Sequence, residues 1–386
     1  MKGINNLMAK NKRILLVGYH FFPEQVPRSF RIYELARELA KNYEITILIP
    51  KSDICYDKKL EKNISIVKLK PGYLFNKEKK ISSNIETKIK NKKIFRLKLR
   101  KIFNYFFDNR QIEYFLSVFK YLKNNLNNFD CVISIALPFC THLGCYLGMK
   151  NNNKKLILDY GDPFYFNITA KKAIYFKFIE KKVLDRAQYI VLPIEQAKTS
   201  FSYYKVENKI NIIPQGFDLK SIKLAKYEKN KVPTFAYAGI FYSDIRNPLN
   251  FFKNLNSIKE DFKFIIYTNI ESYSRLQNIE EVEKERKKLG KKIQIKGMIS
   301  REKCIYEMSK MDFLINLENL NKEQSPSKLI DYAISKRPIF SFNQNNFNIL
   351  IFKNFLKGIY EEEKKIDLQK YDIKTIAQKF ADLIEK

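Results

Sequence analysis

Glu323-Gln-Ser-Pro-Ser-Lys328-Leu-Ile-Asp331-Tyr332 sets two carboxylates eight residues apart across the opening of a helical pattern. Ser325 is a good N-cap, Pro326 suits the first helical turn, and Ser327 and Lys328 follow. A helix N-terminus presents backbone N–H groups and the positive end of its dipole, which suits a diphosphate. Lys328 adds a full charge there. Asp331, one turn deeper, is placed to accept hydrogen bonds from ribose hydroxyls, and Glu323 to reach a sugar. A capped surface helix with incidental charges fits the same residues. The ligand reading therefore needs support from elsewhere in the chain.

The elements around this segment alternate. Strand patterns at Arg13–Gly18, Glu44–Ile49, Ile64–Leu69, Cys131–Ile135, Lys155–Asp159, Tyr189–Leu192 and Ile210–Ile213 form a first series. A helix is predicted over Ser29–Lys41, with Ile32, Leu35, Ala36 and Leu39 on one face. A second strand series follows at Thr234–Ala238, Phe262–Tyr267, Ile293–Lys296, Asp312–Leu317 and Pro338–Phe342. Strands alternating with helices imply parallel sheets with right-handed crossovers. The pattern predicts two α/β domains, 1–213 and 214–365, with a C-terminal helix in 366–386 packing back toward the first. Leu219–Pro233 is polar and reads as the connection between them. Open parallel sheets bind ligands outside the carboxyl ends of their strands, so two such domains face to face predict a deep cleft.

Composition bounds the reading further. The chain has 386 residues, 45% of them hydrophobic and 29% charged, an ordinary globular balance. Its formal net charge of +31 fits either coding bias or attraction to anions. The five cysteines include no CxxC pair, so neither a disulfide framework nor a zinc site is expected, and a reducing compartment fits. There is no signal-peptide core and no apolar run long enough to span a bilayer. The expectation is a cytoplasmic protein, peripheral at most to the inner face of the membrane. The insert at about 74–110 is basic from Lys77 to Arg110, opposed only by Glu78, Glu86 and Asp108, with aromatics such as Phe95, Phe103, Phe106 and Phe107 interleaved. That composition suits an anionic bilayer surface, and equally a solvated helix whose apolar stripe packs on the domain. Nucleic acid is not expected, because no binding motif accompanies the charge.

The Glu323–Tyr332 segment resembles the E-x7-E element of family 4 retaining glycosyltransferases with the GT-B fold, in the branch reading PSKL-[FL]-E-Y of capsule, O-antigen and exopolysaccharide enzymes. Asp331 stands where the second Glu is usual. Other segments are similar to further family elements. Gly18-Tyr-His-Phe-Phe-Pro-Glu24 resembles the opening loop, though Gln25-Val-Pro-Arg28-Ser29 replaces its Gly-Gly pair. Leu137-Pro-Phe-Cys-Thr-His142 resembles S-x-P-x-x-x-H, with Ala136 for the Ser. Asp159-Tyr-Gly-Asp162-Pro163 resembles D-x-R-D-P, with Gly161 for the Arg. Ile213-Pro-Gln-Gly216-Phe-Asp218 resembles I-P-N-G-[FV]-D. After Tyr237-Ala-Gly239, Ile240 occupies the family's Arg position and Arg246 its Lys position.

The resemblance implies a GT-B protein with an N-terminal acceptor domain and a C-terminal nucleotide-sugar domain. Gly239, Arg246, Pro326, Ser327, Lys328 and Asp331 would bind the donor. His142, Glu323 and Asp162 would serve catalysis. Glu24, Arg28 and Arg31 would face an anionic acceptor or phosphate; a surface role suits the two arginines as well. A sugar would pass from a nucleotide diphosphate to a glycan or lipid-linked acceptor with its anomeric configuration retained, in surface polysaccharide synthesis. Domain closure would exclude water. No cofactor and no metal are expected, since cationic side chains can replace a divalent ion on the diphosphate. A sugar-nucleotide epimerase of the same fold and a non-catalytic partner in a glycan-assembly complex remain rival readings.

Overall fold

The protein is seen in a computed structural model that describes residues 12–22, 24, 26–51, 62–72, 104–108, 110–167, 171–219, 222–244, 246–318 and 327–386. The chain divides into two compact units, Met1–Phe217 with Ile373–Lys386, and Asp218–Asp372.

The first unit is built on β1 (Arg13–Val17), α1 (Pro27–Leu39), β2 (Glu44–Pro50), β3 (Ile64–Leu69), α2 (Tyr114–Asn125), β4 (Cys131–Ile135), α3 (Cys140–Met149), β5 (Lys155–Asp159), α4 (Tyr175–Arg186), β6 (Tyr189–Leu192) and β7 (Ile210–Ile212). Its seven strands are parallel, in the order β3-β2-β1-β4-β5-β6-β7. Such strands are covered on both faces, which is why Ile14, Leu15, Leu16 and Val17 are all fully buried. Alternate residues serve opposite layers. Leu15 and Val17 pack with Tyr114 and Val118 of α2, whereas Ile14 and Leu16 pack with Ile32 and Leu35 of α1. Helix α1 starts two residues before the sequence expectation. Pro27 enters its first turn at no hydrogen-bonding cost, and Ser29 Oγ accepts from Val26 N at 3.3 Å.

The second unit runs through β8 (Thr234–Ala238), α5 (Leu249–Asn256), β9 (Lys263–Tyr267), α6 (Ile270–Ser274), α7 (Ile279–Leu289), β10 (Ile293–Lys296), α8 (Arg301–Met308), β11 (Phe313–Leu317), α9 (Ser327–Ile334), β12 (Ile339–Phe342) and α10 (Ile349–Lys357). Its five strands are also parallel, ordered β10-β9-β8-β11-β12. Aromatics fill one layer: Phe235 stacks on Phe264 and Phe313, with centroids 4.7 and 4.8 Å away. The stretch Leu219–Pro233, read from the sequence as the connection between the domains, is fastened to this unit where it is described. Tyr227 Oη donates to Asp312 at 2.7 Å, and Ala225 N donates to Ser309 Oγ at 2.9 Å.

The chain then returns to the first unit as α11 (Ile373–Glu385), whose Ile376 and Phe380 join the layer beneath α1. The expected membrane stretch Lys77–Arg110 falls mostly outside the described residues. No helix among the described residues is long and apolar enough to cross a membrane.

Candidate functional site

In each sheet the strand order reverses direction beside the first strand, between β1 and β4 and between β8 and β11. Loops leaving the carboxyl ends of those two strands diverge to opposite faces and open a crevice. The sequence candidates follow these strands: Gly18 to Glu24 after β1, His142 after β4, Gly239 and Arg246 after β8, and Lys328 after β11.

In the second unit, Lys328 lies in the first turn of α9. Its Nζ donates to Tyr237 Oη at 3.2 Å and sits 4.8 Å from the centroid of that ring. Tyr237 Oη in turn donates to Ile240 O at 3.2 Å. A Cβ on Gly239 would coincide with the Lys328 ammonium, so glycine is what lets the cation lie against this strand end. Tyr332, one turn further along α9, ties the helix to β8, because its Oη accepts from Ala238 N at 2.7 Å. Arg246 closes a tight turn through paired backbone hydrogen bonds with Tyr242 at 3.1 and 3.2 Å. The residue is 8% exposed, and its guanidinium reaches Ile240 O at 3.4 Å. Burial first, and Arg246 second, hold the Lys328 pKa well below the usual lysine range. Among the described residues no carboxylate pairs with Lys328. Two basic side chains, Lys328 and Arg246, thus flank one phenol at the switch point. That costs stability in the ligand-free protein and favours an anion when one is present.

Asp331 is joined to Arg301 of α8, whose Nε and Nη2 both reach Oδ1, at 2.9 and 2.6 Å. Burial raises the Asp331 pKa against the opposing pull of Arg301. Oδ2 is not used in this pair. Glu323, Pro326 and the side chain of Ser327 lie outside the described residues.

In the first unit, His142 is on α3 and fully buried. Its Nδ1 is 2.8 Å from Ser134 Oγ, while Nε2 is buried without a partner among the described residues. The resemblance expects Ser at 136; the hydroxyl beside the ring comes from Ser134 on β4 instead. Burial, with Arg28 adding to it, lowers the His142 pKa to about 3, so the ring is neutral near pH 7. It can accept or donate a hydrogen bond there but does not act as a cationic acid. Tyr160 packs on it with centroids 4.4 Å apart. Nearby, Glu180 is buried and accepts from Tyr204 Oη at 2.6 Å and from Tyr165 N at 3.1 Å. Burial pushes its pKa up to about 7, against the opposing pull of these hydrogen bonds.

Arg31 departs from the acceptor-side expectation. It is 2% exposed, with Nε and Nη2 on the two oxygens of Asp159 at 2.9 and 3.0 Å and further bonds to Pro214 O and Ile213 O. Helical periodicity explains the difference: residue 31 lies on the inner face of α1 next to Ile32 and Leu35. Its planar fork is committed to fastening α1 to β5 and to the end of β7. Arg28, one turn earlier, differs. It reaches Asp159 at 3.5 Å and its side chain stays 16% exposed. Its guanidinium fills the space over Gly161, where a Cβ would stand 2.5 Å from Cζ. The resemblance expects an Arg at 161, and here Arg28 brings a guanidinium to that place from α1. Asp162 beside it has its pKa raised by burial and lowered by Arg28. Glu24 pairs through Oε2 with His20 Nδ1 at 2.6 Å.

Tyr237, Tyr332, Arg301 and Asp159 carry no local signature, because each matters through a contact distant in sequence, and Ser134 stands two residues before the position where the resemblance places its serine. No group of His, Cys, Asp and Glu among the described residues could hold a metal ion.

No protein-family model matches the chain, and no curated protein matches it significantly in sequence. Solved structures do match in three dimensions. A glycosyltransferase from Rickettsia africae overlays with a TM-score of 0.62 at 15% identity, covering 97% of this chain and 98% of the other. HepE of Anabaena, solved with UDP and glucose, overlays at 0.61 and 9% identity, covering 97% and 99%. A UDP-GlcNAc 2-epimerase from Methanocaldococcus jannaschii overlays at 0.53 and 11%, covering 97% and 99%. With its seven- and five-stranded parallel sheets and these structural neighbours, the chain has the GT-B fold.

Proposed function

We propose that this protein is a retaining glycosyltransferase that moves a sugar from a nucleoside diphosphate to a glycan or lipid-linked acceptor in surface polysaccharide synthesis. The observation that carries this reading is the Lys328–Tyr237–Gly239 arrangement with Arg246 beside it, at the carboxyl end of the second sheet. Pre-placed basic groups there are suited to a pyrophosphate, whose charge draws a proton onto Lys328. The similarity to HepE, which was solved with UDP and glucose, supports the same ligand class.

In the reaction, the bond between the anomeric carbon and the phosphate oxygen breaks, and its electron pair leaves with the diphosphate. Lys328, Arg246 and the N-terminus of α9 would stabilise that growing negative charge without reorganising. The acceptor oxygen bonds to the anomeric carbon on the face the diphosphate leaves, and its proton passes to a phosphate oxygen. This scheme requires no protein base. Asp331 Oδ2 would take a ribose hydroxyl, and Glu323 is assigned to the sugar. His142 would meet the sugar through Nε2, which lies buried and without a partner among the described residues. Arg28 and Asp162, with Glu24, are assigned to the acceptor. No metal or other cofactor takes part.

The epimerase neighbour favours a second reading, in which the nucleotide sugar is converted without an acceptor. Incubation with a labelled nucleotide sugar separates them. Transfer needs an acceptor and stops in Glu323→Ala and Arg246→Ala; acceptor-independent conversion of the sugar would establish the epimerase instead.

A further inference from the structure

The first unit carries an apolar face made of residues other than the candidate site residues. Helix α4 buries Phe176, Glu180, Val183 and Leu184 and turns its other side outward. There Ile174 is 65% exposed, Phe178 56% and Tyr175 40%. These positions recur at helical spacing, so they form one stripe. The short segment 104–108 extends it with Phe106, 45% exposed, and Phe107, 53% exposed. The two parts are fastened together: Ala173 N donates to Tyr105 O at 2.9 Å, and the largely buried Lys172 pairs with Asp108. Single exposed apolar residues are ordinary, but five large ones on two segments fastened to each other are not.

The charges around this face identify its partner. Lys171 precedes the stripe, and Lys181 and Lys182 continue it one turn on, all exposed, with Lys181 paired to Asp185 at 3.1 Å. Lys177 lies with Nζ 3.5 Å over the ring of Tyr203, a half-exposed aromatic at the rim. The basic sequence from Lys77 runs directly into Asn104. A second copy of a chain with net charge +31 would bring like charges together. An anionic surface is complementary to them.

We propose that this face docks on an anionic phospholipid bilayer, with Phe106, Phe107, Ile174, Tyr175 and Phe178 entering the interface and the flanking lysines meeting headgroup phosphates. Aromatic and branched side chains at the apolar boundary, ringed by lysines, are the composition of an interfacial anchor. The proposal is independent of the transfer chemistry, since none of these residues belongs to the candidate site.

The test is flotation of the full chain with phosphatidylcholine vesicles and with phosphatidylcholine–phosphatidylglycerol vesicles. Binding is expected to the anionic vesicles only and to weaken with added salt. The Ile174→Ser, Phe178→Ser double variant should lose at least about tenfold in partitioning, because its apolar side chains no longer leave water. Lys171→Ser and Lys182→Ser should each lose about fivefold. Thermal melting confirms that the exposed substitutions keep the fold. Nucleoside-diphosphate binding, unchanged in these variants, separates this result from the fate of the transferase reading. Equal binding to neutral vesicles, or undiminished partitioning of the variants, would overturn the proposal. So would a wild-type dimer in lipid-free sedimentation that these substitutions dissolve.

Discussion

Lys328 and Gly239 share one volume: the lysine ammonium lies where any side chain at 239 would begin. The strand end therefore carries a cation from another element, and the glycine is a binding residue through what it lacks. Gly239→Ala is predicted to displace the flexible end of Lys328. The added strain at its positive φ of 156° should be modest, about 1 kcal/mol. Thermal melting should change little, while nucleoside-diphosphate affinity falls at least about tenfold, the scale of one charge-assisted hydrogen bond.

Binding should also move protons. In the ligand-free protein, burial and Arg246 favour the neutral amine of Lys328. A bound diphosphate favours the ammonium, so the pKa of Lys328 rises on binding. At any pH between the two values binding takes up a proton, and affinity falls as pH rises through that window. Calorimetry in buffers of different ionisation enthalpy measures the uptake directly, and Lys328→Met should abolish it.

Arg28 and Arg31 are separated by one turn of α1 and share Asp159, yet they should respond oppositely. Arg31→Met strands a buried carboxylate and is predicted to cost about 3–5 kcal/mol in chemical denaturation. Arg31→Lys should rescue little, because an ammonium cannot span both oxygens of Asp159. Arg28→Met removes a longer contact and should leave the fold near wild-type stability while lowering turnover with an anionic acceptor.

Glu180 gives the first unit a pH dependence of calculable sign. Its folded pKa is about 7 against an unfolded value near 4.5, so the folded chain holds a proton that the unfolded chain releases between those values. Stability contributed by the protonated carboxyl is complete below about pH 4.5 and declines as pH rises to about 7. The shift corresponds to about 3 kcal/mol. Glu180→Gln should be nearly neutral at pH 5 and stabilising at pH 8, by up to that amount, in denaturant titrations at the two pH values.

Much of this architecture could be read from the chain. Buried parallel strands are apolar runs, and Cys131–Ile135, Lys155–Asp159 and Thr234–Ala238 begin and end where the pattern places them. Two of the strand starts that differ have local causes. Pro338 has no N–H to give a ladder, and Asp312 turns its carboxylate to Thr234 N and Asn230 N as a brace ahead of β11. Gly239, Arg246 and Lys328 were legible because each stands in a short segment with its own signature. What could not be read were contacts across long separations: Arg31 on Asp159, 128 positions away, Arg28 over Gly161, and Arg301 on Asp331. Residue type alone marked Arg31 as available to a ligand; only packing showed that it was already taken.

Titration of UDP and GDP, with inorganic pyrophosphate as a base-free probe, into the wild-type chain and the Arg246→Ala variant tests the central claim most directly. Thermal shift or calorimetry reports the binding. The account predicts that at least one of these diphosphates binds and that Arg246→Ala weakens it by about tenfold or more. Equal affinity in the two proteins, or no diphosphate binding by the wild type, would contradict it.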